Sequence, residues 1–287
     1  MWKYLIVSLV YIGIIINISS CGITDNEAPI PGYIKVTSVG VEPFGNANEE
    51  THNITDLYVF LDGQIQGVFP LPAQIPIFEP TKNQELTILA GIKNNGVGAN
   101  PVFYPFYKSI VRDIVLDPLE TLELPLSFKY VDNAKLGYYD NFESINSIFT
   151  HVVGSVQGSI KRDNTTSTVG QYCGKITLDS GSPSLQLTPT NHIRESEIIG
   201  GSSYVEFDYK GDGVINVGVL KRNGTNEAVN YKVLVPCKSE WNKIYVEFTA
   251  ELAAKDFDDY AIVLGFTRKE SNNSATIYLD NFKHWHF

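Results

Sequence analysis

The sequence predicts an all-β protein built of two β-sandwiches set behind an export signal. Three observations carry this reading. Apolar and polar residues alternate with a period of two in short runs along nearly the whole chain after Pro31. Turn-forming pairs such as Asp62-Gly63, Asn95-Gly96 and Asn223-Gly224 separate those runs. No window of the first 130 residues sustains helical spacing, and the length of 287 residues suits two cores better than one.

The N-terminus comes first. Leu5 to Ile16 is apolar apart from Ser8 and Gly13. A bilayer span takes roughly 20 apolar residues, so this run is too short to be one. It matches the apolar region of a secretory signal, which runs about 7 to 15 residues. Ser19-Ser20 then precede Cys21, and "ISSCG" resembles the bacterial lipobox. That resemblance implies cleavage before Cys21 and a diacylglycerol thioether on its sulfur, the thiolate being the good nucleophile there. Residues 1–20 are thus expected to be a lipoprotein signal and 21–30, "CGITDNEAPI", a polar tether. The expected location is the cell envelope, lipid-anchored to the outer membrane, and the acidic tether weakly resembles surface-export signals of Bacteroidetes lipoproteins.

The first sandwich is expected over 31–130. "DLYVFLDGQIQGVF" reads as a hairpin about Asp62-Gly63, and "ELTILAGIKNNGV" and "ETLELPLSFKY" continue the alternation. "KYVDNAKLGYYDNFES" joins it to a second unit, 131–287. There "QYCGKITLD", "SSYVEFDYKG", "VINVGVLK", "NYKVLVP", "WNKIYVEF", "YAIVLGFTRK" and "ATIYLDNFKHW" are strand-like. "TAELAAKDFDD" reads as a loop with one turn of helix. The tetrapeptide "YVEF" occurs at Tyr204 and again at Tyr245.

"YYDNFES" and "IYLDNFKHW" resemble the first and last strands of carbohydrate-binding-module-like jelly rolls, and the strands between follow the order of such domains. The first unit resembles the N-terminal β-domain of uncharacterised Bacteroidetes lipoproteins. The resemblances imply an immunoglobulin/transthyretin-like sandwich followed by a jelly-roll sandwich. They also imply a structural Ca²⁺ held by oxygens of Asp140, Glu143 and Asp280, the acids of the first and last strands. Asp140-Asn141 as turn chemistry and Asp280 as a strand-end cap is the alternative.

Composition excludes some partners. The formal charge is −10 and there is no basic cluster in sequence, which disfavours nucleic acid. No His-Glu-x-x-His, Gly-x-Ser-x-Gly or phosphate-binding loop occurs, and no enzyme is expected. His284 and His286 share a strand face and could chelate a metal, or form a polar edge. Strand alternation puts Tyr204 and Glu206 on one face with Asp208, and Trp241, Tyr245 and Glu247 on one face of the next strand. Tyrosines among polar groups suit a glycan platform, or an ordinary solvated face. Val205, Phe207, Tyr209, Ile244, Val246 and Phe248 then fill the core. Cys173 and Cys237 remain, and sequence leaves open whether they pair. The functional expectation is binding or adhesion, toward glycan. The alternative is an envelope assembly role through protein partners.

Overall fold

The computed structural model describes residues 29–44, 50–99, 101–152, 159–198 and 200–287. Cys21 lies outside them. The chain is all-β, in two sandwiches.

In the first, β3 (Ile54–Leu61), β4 (Gln64–Pro70) and β6 (Gln84–Ile92) form a sheet in the order β4-β3-β6, with β7 (Val102–Phe103) and β8 (Ile110–Ile114) also on β6. Asp62 and Gly63 both take positive φ, 49° and 75°, so the β3–β4 turn is of the kind a right-twisted hairpin favours. Facing it are β1 (Gly32–Val36) between β5 (Ala73–Ile77) and β9 (Thr121–Glu123), and β2 (Val39–Val41) beside β10 (Leu126–Phe128). Alternate residues of these strands meet in one core that includes Ile34, Leu57, Val59, Ile75, Leu86 and Ile88.

The second sandwich has a front sheet in the order β13 (Lys161–Asp163), β14 (Cys173–Leu178), β22 (Ala275–His286), β17 (Ser203–Gly211), β20 (Asn242–Glu247), with β11 (Lys135–Asp140) pairing β22. Its back sheet runs β12 (Phe149–His151), β15 (Ser184–Pro189), β21 (Asp259–Thr267), β18 (Val214–Asn223), β19 (Asn226–Pro236), with β16 (Ile193–Arg194) on β21. One short helix, α1 (Thr249–Ala253), follows β20. Val205, Phe207, Tyr209, Ile244, Val246 and Phe248 all lie in the core between the sheets, as alternation predicts. The two "YVEF" segments face each other: Tyr204 pairs with Glu247 and Glu206 with Tyr245 in the β17–β20 register.

The opposite face of β17, β20 and β22 is where the structure departs from expectation. Tyr204, Tyr245 and Trp285 belong to the core of the first sandwich. Trp285 stacks on Tyr130 with centroids 4.5 Å apart, and Tyr104 meets Tyr204 and Tyr245 at 5.3 and 4.9 Å. Within this apolar joint sits Glu206. Its Oε1 accepts bonds from Tyr130 Oη (2.6 Å) and Trp285 Nε1 (2.8 Å), and its Oε2 lies 3.6 Å from Lys243 Nζ. Lys283 pairs with Glu50, and Thr51 donates to Asp208 at 2.6 Å. Burial opposes ionisation of Glu206, but Lys243, Lys283 and the two hydrogen bonds outweigh it and hold its carboxyl below the usual range.

The turn at Asn94–Asn95 closes the joint. Asn95 N–H donates to Tyr245 O (2.9 Å), and its Oδ1 accepts from Glu247 N–H (3.0 Å). These bonds cover part of the edge of β20, which would otherwise stay open to another strand.

A variant Glu206→Gln keeps an acceptor for Tyr130 and Trp285 but strips Lys243 of its counter-charge. It is expected to cost about 3–5 kcal/mol in urea unfolding, as a broken buried ion pair does. Glu85→Gln, on an exposed strand position, is expected to stay within about 0.5 kcal/mol. A small loss for Glu206→Gln would show that the joint does not depend on this charge.

Candidate functional site

The sequence nominated the face of Tyr204, Glu206, Trp241, Tyr245 and Glu247 as a platform. Tyr204, Glu206 and Tyr245 do share it, but they are 4, 0 and 1% exposed under the first sandwich. Glu247 accepts a bond from Asn94 Nδ2 at 2.7 Å and belongs to the same joint. The expectation that these four line an open platform is therefore corrected: the aromatic rings that would stack on a sugar stack on Tyr104 and its neighbours instead.

Trp241 is different. It stands just before β20, half-buried, past the end of the covered region. Its indole N–H donates to Thr166 Oγ1 at 3.1 Å, which fixes the ring. The strand register then builds a row from it. Lys210 of β17 lies with its Nζ 6.0 Å from the Trp241 ring, and Lys210 pairs with Tyr278 of β22. Tyr278 pairs with Lys175 of β14, and Lys175 with Lys161 of β13. Paired residues share a face, so Lys161, Lys175, Tyr278, Lys210 and Trp241 cross the front sheet in one line. The neighbours Ile176, Ile277 and Tyr209 point the other way, into the core. The Trp241 and Tyr278 rings are 6.3 Å apart and inclined by 58°. Beside the β13 end opens a cavity of about 240 Å³, lined by Lys161, Lys175, Ser159, Thr177, Ser182 and Ser184 among others.

The back sheet also has an open face. Tyr231 lies across Gly265, where an added Cβ would come within 2.6 Å of its Oη. Gln186 and Asn216, both paired with Gly265, flank it. Sequence reading passed over Tyr231 and over Lys161, Lys175, Lys210 and Tyr278. A glycine inside the apolar strand "AIVLGFT" was the available sign that something packs closely at Gly265.

The proposed calcium ligands do not converge. Asp140 accepts bonds from Phe142 N–H, Ser147 Oγ and Ile148 N–H, at 2.8 to 3.0 Å, and so ties down its own loop. Glu143 Oε1 accepts Gln171 and Tyr172 N–H at 2.7 and 2.9 Å. Asp280 Oδ2 accepts Thr168 N–H and Oγ1–H at 3.1 and 2.9 Å. Among the described residues no cluster of three His, Cys, Asp or Glu is arranged to hold an ion. These carboxylates brace loops and are not gathered into a Ca²⁺ cage of 6–8 oxygens. Asp140 ends β11 as turn chemistry would have it, whereas Asp280 lies inside β22 and is not a strand-end cap. His284 and His286 are not a polar edge either: both are buried on a strand with neighbours on each side. His284 Nε2 lies 3.0 Å from Ser203 Oγ, and burial followed by His286 holds its pKa well below the ordinary value. Cys173 and Cys237 are both free and buried; Cys173 opens β14 in the front sheet, whereas Cys237 follows β19 and packs in the core.

No family model matches the chain, and no curated protein does. Solved structures resemble it. The C-terminal family 22 carbohydrate binding module of Clostridium thermocellum Xyn10B aligns with 54% of this chain and 96% of its own, at 10% identity and a TM-score of 0.40. A carbohydrate-binding module from the β-sandwich superfamily aligns with 91% of this chain and 100% of its own, at 14% identity and 0.40. TmCBM61, solved with β-1,4-galactotriose, aligns with 54% and 90%, at 14% and 0.31.

Asp280 supplies a pH test of the joint. Burial first, and Asp208 opposite it, push its carboxyl up to about 7. A carboxyl whose folded pKa exceeds its unfolded value of about 3.9 contributes stability that is full at low pH and is lost as pH rises through about 7. Asp280→Asn removes that slope. The melting temperature of the variant minus that of the wild type is expected to grow from pH 5 to pH 8; a constant difference would place the Asp280 pKa in the ordinary range.

Proposed function

We propose that this chain is a lipid-anchored cell-envelope protein that binds a glycan on the open end of its front sheet. The observation that carries the binding reading is the Trp241–Tyr278 pair. It is a half-exposed aromatic pair on a face where Tyr204, Tyr245 and Trp285 are covered, and it is flanked by hydrogen-bonding side chains. Apolar sugar faces stack on such rings while polar neighbours take the hydroxyls.

Two features support anchoring. One is "ISSCG" at Cys21. The other is the end of the first sandwich nearest to it. The chain enters β1 beside exposed Ile30, Phe78, Val115 and Leu119. Leu119 N–H bonds Pro31 O at 3.0 Å, Ile77 pairs with Gly32, and Leu116 packs on Gly32. Nine residues of tether reach at most about 30 Å, so a lipid on Cys21 would hold this apolar end near the bilayer.

A second reading, assembly with envelope proteins, draws on the outer face of β3, β4 and β6. Tyr58, Phe60, Ile65, Val68, Phe103 and Val111 share it by register, and Ile65, Phe103 and Val111 are more than half exposed. An apolar patch of this kind marks interaction surfaces.

The test is a polysaccharide panel against the full chain in detergent micelles. Trp241→Ala is expected to weaken the retained glycan at least about tenfold, roughly 1.4 kcal/mol. Tyr231→Ala, on the back sheet, is expected to leave it unchanged. The reverse result would move the site to the back sheet, and retention of no glycan would favour the assembly reading. Cys21→Ser is expected to abolish acylation, read by mass, and to release the protein from membranes.

A further inference from the structure

We infer that the glycan is an acidic one, a polysaccharide carrying carboxylate or sulfate groups, read by Lys161, Lys175 and Lys210. This rests on the binding reading above and specifies its ligand.

The chain carries 32 acids against 22 lysines and arginines. Three lysines in one line across a sheet therefore stand against the general field of the molecule. The lysines span four adjacent strands, β13, β14, β22 and β17, hence about 14 Å at the usual strand spacing, with Trp241 beyond Lys210. Lys161 and Lys175 are directly opposed across β13 and β14. Only Lys175 has an acidic partner there, Asp163 at 3.3 Å. Lys161 and Lys210 have no ion pair among the described residues. Asp163 already answers Lys175 through its ion pair, so the uncompensated positive charge along the row is that of Lys161 and Lys210, and an anion laid along it would meet both. The hydroxyls of Ser159, Thr177, Ser182 and Ser184 line the adjoining cavity with Lys161 and Lys175, which suits a sugar bearing both hydroxyl and anionic groups. The rings between and beyond the lysines supply stacking along the same line.

These side chains are partly exposed, so their attraction acts over about 8 Å at physiological salt and must be made at contact. The experiment uses the full chain in detergent with paired polymers: dextran sulfate against dextran, and polygalacturonate against xylan. The inference expects the acidic member of at least one pair to bind at least tenfold tighter, with affinity falling as salt rises. The triple variant Lys161→Gln, Lys175→Gln, Lys210→Gln is expected to lose that preference, while Lys82→Gln, exposed on the first sandwich, is expected to keep it. Equal binding of neutral and acidic members, still weakened by Trp241→Ala, would overturn the inference and leave glycan binding standing. Acidic binding unchanged in the triple variant would also overturn it. No binding of any polymer would overturn both readings.

Discussion

The structure depends on one buried carboxylate. Glu206 is fully enclosed between the sandwiches, held by a tyrosine from one, a tryptophan from the other, and a lysine on the neighbouring strand. A charge in that setting is tolerable only while its partners are in place, because desolvation costs several kcal/mol per ion. Tyr130 comes from the first sandwich and Trp285 from the last strand of the second. Glu206 therefore keeps both hydrogen bonds to its Oε1 in one relative placement of the two units. The tyrosines around it provide the area; the carboxylate selects the geometry.

A single irregularity makes that arrangement possible. The β17–β22 register slips between Glu206 and Asp208, opposite Asn281, which takes φ of 48°. Asparagine tolerates this left-handed conformation better than other non-glycine residues. Before the slip, Ile277 and Leu279 face the core; after it, Phe282 does. The slip thus turns both Asp280 and Lys283 toward the first sandwich. Without it one strand would present its charges to opposite faces, and a lysine would be driven into the core of the second unit. Bulges re-aim side chains in this way.

Much of this was legible from residues alone. Alternation located the strands, Asp62-Gly63 located the hairpin, and the inward set of β17 and β20 was read correctly. What the sequence could not show was that the second face of those strands is also buried. Tyr204, Glu206 and Asp208 look like a solvated face because polar groups usually are solvated. They are buried because lysines on other strands and a distant domain complete them, and pairings across 76 to 157 residues, such as Tyr130–Glu206 and Thr51–Asp208, leave no local periodicity. The row through Trp241 was hidden for a related reason. Lys175, Lys210 and Tyr278 are each recognisable as outward positions. That they line up is a property of register, and the slip at Asn281 changes that register within one strand.

The same face therefore does two things, divided along its length. Toward Trp285 it is dry, aromatic and joined to the first sandwich; toward Trp241 it is half-open and basic. The division follows from the chain itself. Charges on β17 and β20 that can reach partners in the first unit are covered, and those past its reach, Lys210 and beyond, remain in water. Part of the open row, Lys210 and Tyr278, is mounted on β17 and β22, strands that also form the joint, whereas Lys161 and Lys175 stand on β13 and β14 beside them. Rigid mounting lowers the ordering cost of binding. A joint that exists to hold two domains together would require only the covered half. The other half carries Lys161 and Lys210 without an acidic partner among the described residues, and on the proposed reading an anionic ligand would supply it.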